Sequence, residues 1–324
     1  MALRPLGKTG LMVEGIGLGT YPLTGAVFVK GTVWEGPQGY GAVSPEQAKA
    51  TIEKALALGV NFVDTAPVYG QAEDIVGLVR SEGRWSFIVE TKAGEYIAED
   101  GTLTRDFSEQ NIRRSVLVSK RRLQMDVLDI LLLHTPDPEE FGDGEPLNAL
   151  CKLKEEGDVR FIGSSCRDDP GDALSLIQTG KVDVLQFGFN LIQPRMMEVF
   201  EAAKEHGVGI VIRTPLASGF LTGLISEDYE FPQDDYRSKI EREVTTAMAR
   251  QAAAFRPLVD GREIESLPEL ALRYILSFDA VSVVIPGAVT PEEVERNVAA
   301  ARKGPLPDAL LEEIERIQRN LGLL

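Results

Sequence analysis

The sequence predicts an α/β fold, a (β/α)8 TIM barrel spanning residues 1–324 as a single domain. Three observations carry that expectation. Eight short apolar, β-rich runs recur along the chain, and helix signatures lie between them. The runs are apolar throughout instead of alternating with polar residues, which marks strands buried on both faces. Such alternation of strand and helix implies parallel strands joined by right-handed crossovers, and eight is the number that closes a barrel. A doubly wound open sheet is the competing architecture. It usually has fewer strands and a phosphate-binding fingerprint after the first, whereas Gly15-Ile16-Gly17-Leu18-Gly19-Thr20 carries Thr where the third glycine belongs.

The first run ends at Gly19 and is followed by a long excursion over about 20–43. Ser44-Pro45-Glu46-Gln47 is a capping box with Pro at the first helical position, and it opens a helix that ends before Gly59. NFVD at 61–64, FIVETK at 87–92 and VLDILLLH at 127–134 read as strands, with a helix over roughly 108–124 before the last of them. Helices over roughly 145–156, 171–179 and 194–206 alternate with strands at 161–165, 182–187 and 209–215. A second excursion, 217–265, contains DYEFPQDDYRSK, and a helix at 267–277 then leads to the last strand, 281–287. Thr290-Pro291-Glu292-Glu293 repeats the capping device, and a helix at 307–320 follows. Both excursions leave the C-terminal ends of strands, so in a barrel they lie over the face that carries active sites.

The composition, 44% hydrophobic and 26% charged, is that of a soluble globular protein. With 34 Lys and Arg against 50 Asp and Glu, the net charge of −16 repels phosphate backbones and anionic lipid heads, which argues against nucleic acid and membrane-surface partners. No apolar run approaches the roughly 20 residues of a spanning helix. MALRPLGKTG has no apolar stretch of signal-peptide length, and Cys151 with Cys166 make no disulfide framework, so a reducing cytoplasm is the expected compartment. Two scattered histidines and two cysteines lack the spacing of zinc ligands, and no metal is expected.

Three strands end in titratable residues: Asp64, Lys92 and His134. Adjacent strands lie about 4.8 Å apart, so Asp64 and Lys92 can touch, with His134 one strand further on. Tyr69 follows in the turn Ala66-Pro67-Val68-Tyr69-Gly70 and can fold back over the same mouth. Taken singly, each has a structural reading: a buried ion pair, a core histidine, a packed turn aromatic. Buried pairs rarely repay their desolvation, however, and convergence on one mouth favours chemistry. His206 sits in the last turn of a helix, where it suits the dipole and is read as structural. A phenol titrates near 10, and a neighbouring ammonium lowers that value. Lys92 can serve as that cation, Asp64 can hold it, and neutral His134 can grip a carbonyl oxygen through one ring nitrogen. Tyr69 is then the proton donor to an oxygen gaining negative charge. Carbonyl reduction by hydride makes that demand, and no side chain supplies hydride, so a nicotinamide cofactor is implied.

Gly59-Val60-Asn61-Phe62-Val63-Asp64-Thr65-Ala66 with Tyr69-Gly70, then Thr91-Lys92, then Leu131-Leu132-Leu133-His134, resembles the aldo-keto reductase superfamily, and the likeness runs from Leu6 to Asn297. The resemblance implies a catalytic tetrad of Asp64, Tyr69, Lys92 and His134, with hydride passing between NADP(H) and an aldehyde, a ketone, or the matching alcohol or sugar. It also implies cofactor contacts. Ser165 and Gln186 match ligands of the nicotinamide carboxamide, while Cys166 stands where relatives have Asn. Arg213 takes the place of an aromatic that stacks on nicotinamide, and a planar guanidinium can stack too. Ser218, Gly219 and Leu221 belong to the loop expected at the pyrophosphate, after Thr214, Pro215 and Leu216. Gly19 and Thr20 are also expected to contact the cofactor, with Gly287, Glu293 and Asn297 at the adenosine end.

That adenosine end is short of cations. Glu292, Glu293 and Glu295 stand against Arg296 alone, so NAD(H) is expected beside NADP(H), unless Arg237 or Lys239 reaches the 2′-phosphate. Tyr21, Trp34 and Tyr40 are candidates for an aromatic substrate pocket. Two rival readings are a nicotinamide-binding regulatory or sensor subunit, and a hydrolase built on Cys166 or Ser165 with His134 and Asp64. The second lacks a serine elbow.

Overall fold

The computed structural model describes residues 3–25, 27–31, 35–141 and 144–324. Trp34 therefore lies outside the described residues. The barrel strands are β1 (Leu18–Gly19), β2 (Phe62–Asp64), β3 (Ile88–Ala93), β4 (Leu128–His134), β5 (Val159–Ser165), β6 (Val184–Gly188), β7 (Gly209–Arg213) and β8 (Val281–Val284). They form one parallel sheet in sequence order. Bridges from Ile16 to Val284 and from Gly19 to Gly287 join its ends, and the sheet closes into the (β/α)8 barrel that the apolar runs predict. A short antiparallel hairpin, Arg4–Pro5 with Met12–Val13, covers the far end. Its turn lies flat on the barrel because Gly7 has φ +52°; a Cβ there would meet Gly207 O at 2.4 Å.

The helices are α1 (Pro45–Ala57), α2 (Ala72–Ser81), α3 (Glu109–Leu123), α4 (Glu145–Glu155), α5 (Pro170–Gln178), α6 (Phe200–His206), α7 (Arg242–Ala253), α8 (Leu267–Leu276), α9 (Pro291–Arg302) and α10 (Asp308–Asn320). Side-chain caps start several where the sequence signals them: Ser44 accepts from Gln47 N, and Thr290 from Glu293 N. The stretch read as one helix over 194–206 begins as a 3-10 turn, Arg195–Val199, after Pro194. The sequence pattern predicts no helix at α2 or α7. Neither has a capping side chain at its start, where Gln71 and Glu241 stand, so the usual start signal is missing.

Both excursions rise over the C-terminal mouth. The first contains a 3-10 turn, Tyr21–Leu23, and the pair Val27–Val29 with Gly36–Gln38. The second is largely structured, with 3-10 turns at Ala217–Thr222 and Tyr236–Lys239 and then α7. The two touch where Tyr40 bridges Asp235 and Tyr236 N donates to Gly39 O at 3.3 Å. Among the described residues, no helix is long and apolar enough to cross a membrane.

Candidate active site

The period-two alternation of a strand decides which side chains reach the mouth. Phe62, Ile130, Leu132, Val184, Val211 and Val283 fill the barrel interior, while Val63, Leu131, Leu133, Leu185, Ile210 and Ile212 pack outward against the helices. Two residues beyond each inward apolar side chain comes the next inward one: Asp64 after Phe62, His134 after Leu132, Gln186 after Val184 and Arg213 after Val211. On β3 the same phase gives Glu90 and then Lys92, and on β5 it gives Ser165. Register sets them abreast, with Asp64 opposite Glu90, Lys92 opposite Leu132, and Ser165 opposite both His134 and Gln186.

Lys92 is 1% exposed; its ammonium binds Asp64 Oδ1 and donates to Thr65 O at 2.9 Å. Gln186 Nε2 donates to Asp64 Oδ1 at 2.8 Å and to Glu90 Oε1 at 2.5 Å, and Ser165 Oγ donates to Gln186 Oε1 at 3.1 Å. Burial alone would depress Lys92, but Asp64, Tyr69 and Glu90 together outweigh it and hold the ammonium above its ordinary value.

The Tyr69 turn is tight: at Gly70, with φ +50°, a Cβ would lie 2.2 Å from Thr24 O. Lys92 Nζ stands 5.0 Å from the centre of the Tyr69 ring, and the His134 ring 5.9 Å from it. The sequence suggests that the ammonium lowers the phenol. Burial instead pushes Tyr69 above its ordinary value, because Lys92 and Arg213 pull it down by less. The phenol therefore keeps its proton at neutral pH. Burial, reinforced by Lys92, Arg213 and Arg105, holds His134 well below its ordinary value, so the imidazole is neutral.

These groups open into a cavity of about 1130 Å³, larger than the roughly 300–1,000 Å³ of ordinary small-molecule pockets. Gly19, Ser165, Gln186, Arg213, Thr214, Pro215, Leu216, Ser218, Gly219, Gly287, Glu293 and Asn297 line it, as do Tyr21, Asp64, Tyr69 and His134. Two residues expected to line it do not. Thr20 is fully buried and gives its hydroxyl and its N–H to Asp64 O, at 2.9 and 3.0 Å, so it pins the end of β2. Leu221 is fully buried in the core beneath its loop. Thr135, Thr214 and Ser218 at the mouth hold positive φ of 54°, 50° and 54°, a concentration of backbone strain typical of functional loops.

Arg213 is held by Asp168, whose Oδ1 accepts from Arg213 Nη2 at 2.8 Å and from Gly188 N at 2.7 Å. Burial pushes the Cys166 thiol up to about 12 and its Sγ turns to Ser164 O at 3.7 Å, so no thiolate is present for the hydrolase reading. Where the sequence places the adenosine, the three glutamates part company. Glu293 lines the cavity and accepts from Val289 N at 2.8 Å, Glu295 pairs with Lys54, and Glu292 is exposed. Glu269 lines the same region. Arg237 is held by both oxygens of Asp235 and donates to Ser218 O at 2.7 Å, beside the loop that was expected at the pyrophosphate. The Lys239 chain packs on Gly36.

Tyr21 meets Tyr69, Tyr40 and Tyr236 edge-on at 5.3, 6.0 and 5.8 Å, and Tyr21, Tyr40 and Tyr69 line the cavity. Sequence reasoning passed over Glu90, Glu95 and Asp168, which work through other side chains. Glu90 alone left a trace, two residues before Lys92 in FIVETK.

The model of the Aldo/keto reductase family matches residues 16–319. L-galactose dehydrogenase of Arabidopsis thaliana is 34% identical over 316 residues, covering 92% of this chain and 87% of that protein. NADH-specific methylglyoxal reductase of Escherichia coli (strain K12) is 30% identical over 313 residues, covering 91% and 92%. Among solved structures, the holo form of aldo-keto reductase AKR11C1 from Bacillus halodurans superposes with a TM-score of 0.79 at 27% identity, covering 98% of this chain and 96% of that one.

Proposed function

The chain belongs to the aldo/keto reductase family of NAD(P)-dependent oxidoreductases, and on that premise we propose that Tyr69, aided by Lys92, Asp64 and His134, moves the proton when a small oxygen-rich aldehyde or ketone is interconverted with its alcohol. The observation that carries this reading is the meeting of Asp64, Tyr69 and His134 in one cavity beside the Ser165 and Gln186 pair, with Lys92 buried behind them on Asp64. A nicotinamide dinucleotide fits the residues present. Ser165 and Gln186, whose hydrogens are taken up within the floor, offer oxygens that can accept from a carboxamide NH2, Arg213 offers a planar face, and the left-handed turn at Ser218 and Gly219 brings backbone to the cavity wall. When bound, that cofactor supplies or accepts the hydride.

The chain's own part is positioning and proton movement. A buried phenol that holds its proton is a donor to a carbonyl oxygen, and the ammonium of Lys92 stabilises the phenolate left behind. Asp64 keeps Lys92 charged and in place, and His134 grips the same oxygen. Tyr21 and Tyr40, which line the cavity, give the C–H faces of sugars and polyols an aromatic wall. L-galactose and methylglyoxal, named for the two relatives, are both small oxygen-rich carbonyl compounds.

Tyr69→Phe tests the reading. Turnover of an aldehyde panel should fall about 10²–10⁴-fold, the usual loss on removing a general acid, while nucleotide binding followed by nicotinamide fluorescence stays within about threefold. Turnover within about threefold of wild type, in a folded variant, removes Tyr69 from the proton step.

A further inference from the structure

Behind His134 lies a carboxylate that the tetrad does not account for. Glu95 stands on a small arm after β3, Glu95–Ile97 paired with Leu103–Arg105, which turns back over the barrel at Gly94. Gly94 has φ +105°, and a Cβ there would lie 2.0 Å from the Phe107 ring, so the arm has little freedom to swing away. The Glu95 Oε2 lies 3.0 Å from His134 Nδ1, within hydrogen-bond distance although the contact is not aligned as a hydrogen bond. Nδ1 is sealed from solvent and has no other partner among the described residues. His134 lines the cavity, which leaves Nε2 as the nitrogen available to a substrate oxygen.

We propose that Glu95 is a positioning residue which sets the tautomer of His134, so that one proton on this pair decides whether Nε2 donates or accepts a hydrogen bond in the cavity. With Glu95 protonated, its O–H donates to Nδ1, and Nε2 carries the hydrogen that a carbonyl oxygen needs. With Glu95 ionised, it accepts from Nδ1–H, and the bare Nε2 accepts from the O–H of an alcohol. The first form holds two protons, on Glu95 and on Nε2, and the second holds one, on Nδ1; the difference is released to water. Carbonyl reduction takes up one proton overall, so the two forms match the two directions of the reaction.

The surroundings poise this proton near neutrality. Burial pushes the Glu95 carboxyl up to about 7, with Arg105 and Lys92 opposing and Glu140 reinforcing the rise. From its own arm Glu95 meets Arg105 Nη1 at 3.1 Å, and the turn after β4 brings Glu140 and Asp137 to Arg105 Nη2 at 2.6 and 3.6 Å. His134 in turn is held neutral by burial and by Lys92, Arg213 and Arg105, so it is the tautomer and not the charge that has room to change. The inference rests on the proposed role of His134 for its consequence, but the tautomer itself can be read without substrate.

The chain has two histidines, so long-range proton–nitrogen NMR on the whole protein with labelled histidine gives two ring systems, and His206→Gln assigns them. Wild-type His134 should pass from the Nε2–H to the Nδ1–H tautomer across about pH 6–8 without becoming imidazolium. In Glu95→Gln the tautomer should be the same at every pH. In the wild type, kcat/KM for aldehyde reduction should be flat below the switch and fall about tenfold per pH unit above it, with the mirror image for alcohol oxidation, and both breaks should leave this range in Glu95→Gln. A wild-type His134 that keeps one tautomer or becomes cationic overturns the proposal, and so does a switch that survives in Glu95→Gln. A normal switch in a protein whose Tyr69→Phe variant turns over normally would instead sink the proposed proton donor and leave the tautomer control standing.

Discussion

Two carboxyl groups, Asp64 and Glu90, face one ammonium, Lys92, on the buried floor of the barrel. If both were ionised, the floor would carry a net negative charge, which is a costly arrangement. Burial first, and then the charge of Asp64, pushes the Glu90 carboxyl well above its ordinary value, so the folded chain holds the Glu90 proton to higher pH than the unfolded chain does. That proton has a consequence for stability. Below about pH 4.3 Glu90 is protonated in both the folded and unfolded chains, and its contribution is fully present. As pH rises past that value the unfolded chain ionises while the folded one does not, and stability falls by about 1.4 kcal/mol per unit until the folded group itself titrates. Glu90→Gln keeps a neutral group of the same shape and removes this slope. The variant should therefore gain on wild type in urea unfolding between pH 5 and pH 8. A stability difference that stays constant over that range means that Glu90 is ionised in the fold.

At the scale of elements, α2 ties the Tyr69 turn to the outer layer, since Ala72 N donates to Tyr69 O at 2.9 Å and the helix runs on against α3. The approach of the two helices depends on Gly77, where a Cβ would lie 1.9 Å from Arg122 O. Alanine is the better helix former by about 1 kcal/mol, yet overpacking of this kind costs about 1–3 kcal/mol, and here the obstacle is backbone that cannot rotate aside. Gly77→Ala should therefore lower the urea midpoint and, by moving the start of α2, lower kcat more than nucleotide affinity. A variant as stable as wild type would show that α2 and α3 separate freely. The sequence could not announce this helix, because nothing caps it. By contrast α1 and α9 were legible from Ser44 and Thr290, and the strands from runs too apolar to face water on either side. Asp64, Lys92 and His134 were legible because each ends such a run. Glu95 and Asp168 lie beyond their strands and act across tertiary contacts, on His134 and Arg213, for which no linear spacing exists.

For the whole molecule, the net charge of −16 sets the field in which any anionic cofactor arrives. A 2′-phosphate adds nearly two negative charges to NADPH relative to NADH. At the end of the cavity proposed for the adenosine, Arg296 shares a helix with Glu293, Glu269 is paired with Arg273 and Lys303, and Arg237 is already held by Asp235. Local and global charge therefore act in the same sense, and neither favours the extra phosphate. We expect both cofactors to support turnover with kcat/KM values within about a hundredfold of each other, which is about 2.7 kcal/mol. The sign of the salt effect follows. The screening length shrinks from about 30 Å at 0.01 M to about 8 Å at 0.15 M, and a repulsion summed over the molecule fades with it. The ratio of kcat/KM for NADPH to that for NADH should accordingly rise over this interval, on the order of threefold or more. Glu293→Arg should raise the ratio at every ionic strength by giving the phosphate a planar fork of donors. Side-by-side kinetics with the two cofactors at the two salt concentrations decide the matter: if the ratio falls as salt rises, attraction to a local cation dominates, and the adenosine end is a built 2′-phosphate site.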